Sequence, residues 1–352
     1  MPHDLLLRKL DFYGIRGIIH EWFADYLANR SHTTMIDGQK SSTANVVMGV
    51  PQGSVLGPIL FLLFVNDLPN FSDILTSILF ADDANLYLKG DDPSNLILTA
   101  NIELFKLYDW CIANRISMNS LKTYYLLFGN IPPKNLPPLT IKSGASYEII
   151  KRANNVKFLG IFYDENMSFK SHIHHLVQRI SRTSALIYQL KEIVPTFVLK
   201  TIYNAHVSSL LNYCNIIWSG ACQTNLLPLI RITKRIIRNI CRSDILAHSD
   251  PLFREQKFLN LELLRQYNLA LYFIKYRIYE DNELQRNHRY PTRNRDALRL
   301  PEYHTRVYRQ SFLCKGVEVF NELRDSSLVD LDSIYTIRTL KQRLKKYFIS
   351  KL

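Results

Sequence analysis

The chain has 352 residues, of which 47% are hydrophobic and 21% are charged. This length exceeds one average domain, and the composition is typical of globular proteins, which excludes a disordered chain. The longest apolar run, Val55 to Val65, is shorter than the roughly 20 residues that span a bilayer, and the N-terminus carries no secretory signal pattern. We therefore expect an intracellular protein without a transmembrane segment.

The net charge of +13 is unevenly distributed along the chain. Residues 1–150 hold 11 Lys and Arg against 14 Asp and Glu, whereas residues 151–352 hold 33 against 17. A field of this kind attracts polyanions, and the phosphates of a nucleic-acid backbone are the favoured partner. The alternative is a basic surface that serves only solubility.

Cysteine and histidine give no metal or disulfide framework. An odd number of cysteines without a C-x-x-C pair predicts reduced core residues. These are Cys111, Cys214, Cys222, Cys241 and Cys314. His172, His174 and His175 crowd one stretch, but no cysteine lies nearby at zinc-finger spacing, so a solvated or packed helix face is favoured over a zinc site.

The first elements are helices and short strands. Apolar periodicity predicts helices over Leu5–Tyr13 and Gly17–Leu27, and a third helix follows Pro58, a residue suited to a first helical turn. Thr33–Ile36 and Ala44–Met48 are candidates for two short strands.

A β-hairpin with an acidic turn is the central structural prediction. Thr76–Ala81 and Ala84–Lys89 are β-prone runs separated by Asp82 and Asp83. A helix over Pro93–Asn114 follows, and Ile131–Leu139, with four prolines, predicts a loop. Further strands are predicted near Thr123–Phe128, Thr140–Ile141 and Val156–Tyr163.

The second half is predicted to be helical and basic. Helical periodicity covers Ile173–Ile193, Thr196–Leu211, Leu226–Cys241 and Leu261–Tyr279. Asn287–Pro301 predicts a loop, and Ser333–Phe348 predicts an amphipathic basic helix that contacts phosphates or is simply solvated. The fold class is α+β.

The chemistry centres on two carboxylates near a glycine-containing loop. Nucleotidyl transfer uses two divalent ions about 4 Å apart, and Mg²⁺ prefers carboxylate oxygens. Asp82 and Asp83 alone are weak evidence, because aspartates favour turns for backbone reasons. The upstream segment from Gly49 to Leu68 strengthens it: Gly53 permits close approach of a ligand, and Gln52 offers an amide for hydrogen bonding.

Two blocks carry a family resemblance. PQGSVLGPILFLLFVNDL at residues 51–68 and FADDANLYL at residues 80–88 resemble conserved blocks of reverse transcriptases from LINE-type, non-long-terminal-repeat, jockey-like retrotransposons. The resemblance implies an RNA-directed DNA polymerase that uses Mg²⁺, deoxynucleotides, an RNA template and a DNA primer, in the nucleus or a cytoplasmic ribonucleoprotein. It also implies a partial right-hand palm with an antiparallel sheet at 1–165, a helical thumb at 166–250 and a basic helical region at 251–352.

The resemblance also assigns site residues. Asp82 would be the principal metal ligand and Asp83 a supporting one. Lys122, in RISMNSLKTYYLLF, would assist the leaving pyrophosphate or be a solvated strand-end lysine. Leu159 and Gly160, in VKFLGIFYDENMSFKSHI, would grip the primer or belong to an ordinary core strand, and Gln52 and Gly53 would contact nucleotide or template. Candidate contacts to the nucleic-acid backbone are Lys234, Arg235, Arg238 and Arg242.

The chain departs from the family pattern at its start. The family has a further catalytic aspartate in a strand that precedes the position matched by His3, and Asp4 and Asp11 lie on the wrong element to replace it. Asp4 is expected to cap the first helix. We expect an impaired polymerase without the fingers and the usual endonuclease. The alternative function is a non-catalytic nucleic-acid-binding remnant of such a polymerase.

Overall fold

The computed structural model describes residues 1–129, 135–144, 146–281, 284, 297–326 and 336–352. The chain divides into two compact units, Met1–Ala153 and Asn154–Leu352. Helices and small, mostly antiparallel strand pairs make up the described residues, which agrees with the predicted α+β class. The division into segments ending at residues 165, 250 and 352 stays a prediction.

The predicted helices of the first unit are confirmed within a few residues. In the described part of this unit, the α-helices are α1 (His3–Phe12), α2 (Ile18–Leu27), α3 (Leu56–Val65) and α4 (Pro93–Ala113). Asp92 caps α4, because its carboxylate accepts hydrogen bonds from the backbone N–H groups of Ser94 and Asn95. Pro93 then occupies the first helical position, where no N–H is needed.

The expected cap at Asp4 is wrong. Pro2 occupies the N-cap position of α1, and Asp4 lies inside the first turn. The Asp4 carboxylate instead lies 3.3 Å from the guanidinium of Arg115. Because Pro2 forms a β-bridge with Met48, the chain enters α1 already fixed in an extended conformation.

The strands of the first unit are short. They are β1 (Ser31–His32), β2 (Met35–Ile36), β3 (Gln39–Lys40), β4 (Ala44–Asn45), β5 (Thr76–Phe80), β6 (Asp83–Tyr87), β7 (Tyr124–Tyr125), β8 (Thr140–Ser143), β9 (Ser146–Ile149) and β10 (Lys151–Arg152). β1 pairs with β4 and β2 pairs with β3, so the region of the two predicted strands forms two nested antiparallel pairs. β7 and β10 form a parallel pair.

Two apolar clusters support the first unit. One surrounds Leu60 and Phe64 of α3 together with Leu6 and Leu10 of α1. The other contains residues of α4 and of the chain around β8 and β9: Ile97, Leu104, Leu107, Cys111, Leu139, Ile141 and Ile150. Leu79 of β5 is partly buried against both clusters, so the hairpin is anchored where they meet.

The second unit opens with a hairpin and continues as helices. The hairpin strands are β11 (Asn155–Phe158) and β12 (Ile161–Asp164). The described α-helices are α5 (Lys170–Leu190), α6 (Thr196–Tyr203), α7 (Ser209–Asn212), α8 (Asn215–Trp218), α9 (Gln223–Cys241), α10 (Ser249–Glu255), α11 (Leu261–Lys275), α12 (Arg306–Arg309), α13 (Phe312–Asp325) and α14 (Ile337–Ser350). A π-helical turn, Asn204–Ser208, joins α6 to α7. The predicted helix Thr196–Leu211 is therefore continuous but contains a π-helical turn in its middle.

The long helices of the second unit are amphipathic and bury their apolar faces together. α5 and α9 contribute Ile180, Ile187, Leu229 and Ile236, all fully buried. Trp218 is also fully buried in this cluster, and its indole N–H donates to the carbonyl of Tyr213 at 2.9 Å. The sequence periodicity of these helices is therefore the periodicity of their buried faces.

Several predictions fall on residues outside the described ranges. The loop predicted at Asn287–Pro301, the loop at Ile131–Leu139 and the start of the helix at Ser333–Phe348 lie there in part. In the described segments, every helix is too short or too polar to cross a bilayer. All five cysteines are free thiols, and Cys111 and Cys314 are buried as expected. Cys214 and Cys241 are half-buried, and the prediction of a core position is wrong for Cys222, which is exposed.

Candidate active site

The acidic hairpin places one aspartate in its turn and the other at the start of its second strand. Phe80 pairs with Asp83 in the register of β5 and β6, so Ala81 and Asp82 form a two-residue turn. The prediction that both aspartates lie in the turn is corrected by one residue, because Asp83 is the first residue of β6. Ala81 has a φ of 52°, a left-handed conformation that is uncommon for a residue with a Cβ.

The two faces of the hairpin differ in burial. Strand alternation turns Leu79 and Leu86 toward the core, where both are partly buried. The opposite face carries Asp83 beside Phe80 and Ile78, which are 59% and 49% exposed. The carboxylate of Asp83 therefore projects from an open face, at the edge formed by the turn.

Both carboxylates are available to a cation. Asp82 and Asp83 are exposed, and neither has a hydrogen-bond or ion-pair partner in the described part of the chain. Across that same part, no group of three or more His, Cys, Asp or Glu side chains is positioned to hold a metal. The pair nevertheless fits Mg²⁺, because this ion is commonly held by one or two carboxylates together with substrate phosphates and water.

A second element is the tight loop before α3. The Ser54 hydroxyl donates to the carbonyl of Pro51 at 2.7 Å and accepts from the N–H of Gly57 at 3.0 Å. A Cβ at Gly57 would lie only 3.0 Å from the Ser54 oxygen and 3.2 Å from the carbonyl of Pro51, so a larger residue would crowd this loop. This arrangement leaves Gln52 and Gly53 exposed at the tip, and Gly53 adopts a φ of 81°.

The start of this loop is tied to the N-terminus. The ring Nε2 of His3 lies 2.7 Å from the carbonyl of Gly49, and the N–H of Gly49 donates to the carbonyl of Met1 at 2.7 Å. Sequence reasoning noted His3 only as part of a family match and did not anticipate this contact, since it joins residues 46 positions apart. The contact with His3 therefore fixes the start of the loop to α1.

One apolar cluster supports both the loop and the hairpin. Val50 of the loop, Leu56 at the start of α3 and Leu79 of β5 are all partly buried against the cluster around Phe64. Tyr125 of β7, like Leu79 and Leu86, is partly buried against the neighbouring cluster. The strand that follows Lys122 is thereby attached to the same support as the hairpin.

Lys122 lies at the end of a short 3₁₀ turn. Its backbone N–H donates to the side-chain oxygen of Asn119 at 3.3 Å, which caps the turn. The lysine side chain is exposed and has no ion-pair partner within the described ranges. Its ammonium group is therefore free for an anion, and the structure shows no contact between it and Asp82 or Asp83.

The predicted primer-contact pair forms a turn in the second unit. Leu159 and Gly160 connect β11 to β12 with φ values of 44° and 82°. Positive φ at both central residues is the pattern of a tight hairpin turn. The Tyr213 hydroxyl donates to the carbonyl of Leu159 at 2.6 Å, and its ring covers Gly160, where a Cβ would lie 3.2 Å away.

The four predicted phosphate-contacting cations of α9 differ in their surroundings. Arg242 donates to the carbonyls of Lys191 and Val194 at 2.7 and 2.8 Å and to the Thr196 hydroxyl at 3.0 Å. Arg238 donates to the carbonyl of Ala247 at 2.8 Å. These two guanidinium groups bind the chain itself.

The other two cations of α9 face outward. Arg235 is exposed and Lys234 is half-buried, and neither has an acidic or carbonyl partner in the part of the chain that the structure describes. Apolar residues at positions 229, 232, 236 and 240 occupy the buried face of the same helix. Of the four predicted cations, Lys234 and Arg235 are consequently the two left available to an external anion.

The first 163 residues, which contain this site, are similar to a known family. Residues 1–163 match the family described as "Reverse transcriptase (RNA-dependent DNA polymerase)". This range includes the loop with Gln52 and Gly53, the hairpin with Asp82 and Asp83, and Lys122.

Curated relatives are similar beyond this range. A Drosophila melanogaster protein named "Probable RNA-directed DNA polymerase from transposon X-element" is 26% identical over 239 residues, which cover 66% of this chain and 26% of the relative. Proteins named "RNA-directed DNA polymerase from mobile element jockey" are 26% identical in Drosophila funebris, covering 60% of this chain and 24% of the relative, and 30% identical in Drosophila melanogaster, covering 46% and 18%.

The chain thus spans about a quarter of the length of the curated relatives that it matches. The acidic hairpin and the loop before α3 both lie in the segment that matches the reverse transcriptase family, and the relatives are named RNA-directed DNA polymerases. Residues 1–163 therefore match the reverse transcriptase family, and the chain is similar to polymerases of jockey-like retrotransposons.

Proposed function

We propose that the chain contributes the palm of an RNA-directed DNA polymerase of a non-long-terminal-repeat retrotransposon. The observation that carries this proposal is the exposed pair Asp82 and Asp83 at a hairpin turn in which Ala81 has a left-handed backbone conformation. This turn lies inside the segment that matches the reverse transcriptase family. Backbone strain of this kind concentrates at functional sites.

The reaction joins a primer 3′-hydroxyl oxygen to the α-phosphorus of a deoxynucleotide. One P–O bond forms while the bond to the pyrophosphate breaks, and the hydroxyl proton leaves to solvent. Two bound Mg²⁺ ions would stabilise the attacking and leaving oxygens. In the proposal, both aspartates bind metal, because each presents an unpaired carboxylate at the same sheet edge. By the family resemblance, Asp82 is the principal ligand and Asp83 the supporting one.

Other residues of the first unit would handle the nucleotide and template. The free ammonium of Lys122 is suited to neutralise charge on the departing pyrophosphate, and a solvated lysine is the competing interpretation. The loop tip offers the Gln52 amide as donor and acceptor, while Gly53 lets a base or sugar approach the backbone.

The second unit would hold the nucleic acid, as a thumb on the template–primer duplex and a basic C-terminal region. Leu159 and Gly160 form a turn whose shape is fixed by Tyr213, which is the property needed to position a primer end. Lys234 and Arg235 would contact phosphates, whereas Arg238 and Arg242 would position the loops that they bind. An RNA template, a DNA primer and deoxynucleotides are the proposed partners, in the nucleus or a cytoplasmic ribonucleoprotein.

Primer extension on an RNA template tests the proposal. The wild-type chain, Asp82→Ala and the control Asp91→Ala should be compared with Mg²⁺ and deoxynucleotides. Asp91 is also an exposed acidic residue of the first unit, so its loss removes the same charge. We expect weak extension by the wild type and the control, as from an impaired polymerase, and a loss of at least 100-fold in Asp82→Ala.

Two results would overturn the polymerase proposal. Extension that survives Asp82→Ala would remove the carboxylate from the mechanism. Template–primer binding by a wild-type chain that extends no primer would instead support the non-catalytic nucleic-acid-binding function.

A further inference from the structure

The C-terminal helix concentrates positive charge, and three of its cations have no partner among the described residues. Residues 336–352 contain no Asp or Glu, and α14 occupies Ile337–Ser350 within them. The basic residues of this helix are Arg338, Lys341, Arg343, Lys345 and Lys346. Lys351, just beyond it, is bonded to Glu322 and so is neutralised within the protein.

The apolar face of α14 is already occupied by the core. Leu340, Leu344 and Phe348 recur every four residues and are 5%, 0% and 0% exposed. The Phe348 ring meets Tyr267 of α11 edge-on, with centroids 6.4 Å apart. The helix is therefore held rigidly, and no apolar face remains to enter a lipid bilayer.

Three of the cations form a stripe along one flank. Arg338, Lys341 and Lys345 are spaced by three and four residues, so they lie one above another over about 10 Å of helix. All three are exposed, and none has a hydrogen-bond or ion-pair partner among the described residues. Lys346 is exposed next to the end of the stripe.

This arrangement opposes the stability of the helix itself. Arg338 lies in the first turn, where the positive end of the helix dipole disfavours a cation. Like charges three and four residues apart also repel, at a few tenths of a kcal/mol per pair. An external polyanion reverses both effects, because its phosphates would satisfy the cations together.

We propose that the flank formed by Arg338, Lys341 and Lys345 binds the phosphate backbone of single-stranded RNA. The stripe is a single line of cations on a helix whose other side is buried, which suits one strand lying along it and does not suit insertion of the helix into a groove. The choice of RNA rests on the proposed function, which supplies an RNA strand. The residues of this surface belong to α14 and differ from those proposed for the hairpin and for α9.

The test compares two triple variants with equal charge loss. One is R338Q/K341Q/K345Q, and the control is K40Q/K89Q/K170Q, at exposed lysines elsewhere on the chain. Fluorescence anisotropy with a labelled single-stranded RNA of about 30 nucleotides should be measured from low to moderate salt, and circular dichroism should verify folding. We expect at least tenfold weaker binding for the first variant and a salt slope smaller by about 2, at roughly 0.7 per phosphate contact. The control should stay near wild type.

Equal losses in the two variants would overturn the proposal, since the general field of the protein would then explain binding. A loss confined to duplex DNA, or to vesicles containing phosphatidylserine, would also overturn it. Primer extension that remains dependent on Asp82 while the α14 variant binds RNA normally would refute this inference alone and leave the proposed function standing.

Discussion

The hydroxyl of Tyr213 donates a 2.6 Å hydrogen bond to the backbone carbonyl of Leu159, 54 residues earlier in the chain. The backbone carbonyl of Tyr213 in turn accepts from the indole N–H of the buried Trp218. The turn at Leu159 and Gly160 is thus connected to the core of the second unit through one tyrosine.

Tyr213→Phe should loosen this turn without unfolding the unit. The change removes one hydrogen bond, which typically contributes about 1 kcal/mol, and keeps the ring over Gly160. We expect a loss of that size in urea denaturation and, if the turn positions the primer, a higher KM for template–primer with little change in kcat.

Tyr188→Phe is the matched control. Its ring is 61% exposed, and its hydroxyl has no hydrogen-bond partner in the described part of the second unit. Equal kinetic effects of the two substitutions would contradict the role of Tyr213 in positioning the turn.

His172 makes the stability of the second unit sensitive to acid. It is 3% exposed, neither ring nitrogen has a hydrogen-bond partner within the described residues, and its ring packs against Trp218. Burial, with the neighbouring His175, lowers the pKa of His172 from 6.5 to about 4. The pKa of His175 is lowered too, by burial and by the charges of Arg179 and Lys157.

The sign of the effect follows from proton binding. The unfolded chain takes up a proton as the pH falls through about 6.5, whereas the native His172 remains neutral down to about pH 4. Stability is therefore full above pH 6.5 and should fall by about 3 kcal/mol toward pH 4.

Denaturation at a series of pH values should show this loss. His172→Leu should flatten the profile across that pH window, because no buried imidazole remains to be charged. His174→Gln is the control, since His174 is exposed and contacts Gln178 on the helix surface. A profile unchanged by His172→Leu would refute the assignment.

Gly316 sets the distance between α13 and α11. A Cβ at this buried position would overlap the ring of Phe273, which is fully buried. Alanine normally stabilises a helix interior by about 1 kcal/mol relative to glycine. Here the clash dominates, because overpacking a core costs typically 1–3 kcal/mol or more.

We therefore expect Gly316→Ala to lower the thermal midpoint by several degrees in calorimetry. Gly129→Ala provides the comparison, because a Cβ at Gly129 meets no atom within 4 Å and its φ is not positive. An unchanged or raised midpoint in Gly316→Ala would show that α11 and α13 separate easily.

The hairpin illustrates how much of the site the sequence reveals. Two β-prone runs around an acidic pair were enough to predict the element, but its register was one residue off. Pairing of Phe80 with Asp83 leaves Ala81 in the turn, and alanine carries no turn signal. The geometry follows from the packing of Leu79 and Leu86, which local propensity does not encode.

Contacts between distant residues could not be predicted in this way. Arg242 looks like a solvent-facing cation on an amphipathic helix, yet it ends α9 where α5 also ends and binds the carbonyls of Lys191 and Val194. Only the packing of α5 on α9 brings those carbonyls within reach. The hydrogen bond between Tyr213 and Leu159 likewise joins residues far apart in the chain, which sequence patterns do not reveal.

The register of the hairpin also predicts unequal roles for its carboxylates. Asp82 occupies the turn, where its side chain is not confined by strand pairing, whereas Asp83 is fixed opposite Phe80 on the open face. A carboxylate outside the strand pairing has fewer constraints on its orientation, so we expect Asp82 to meet the strict octahedral geometry of Mg²⁺ more readily than Asp83.

Titration with Mn²⁺ in the presence of a deoxynucleotide, followed by electron paramagnetic resonance, measures this difference directly. We expect Asp82→Asn to weaken binding of the ion at least tenfold, Asp83→Asn to weaken it less, and the exposed control Asp91→Asn to leave it unchanged. A larger effect of Asp83→Asn would assign the principal ligand to β6. Binding that survives both substitutions would place the metal site away from the hairpin.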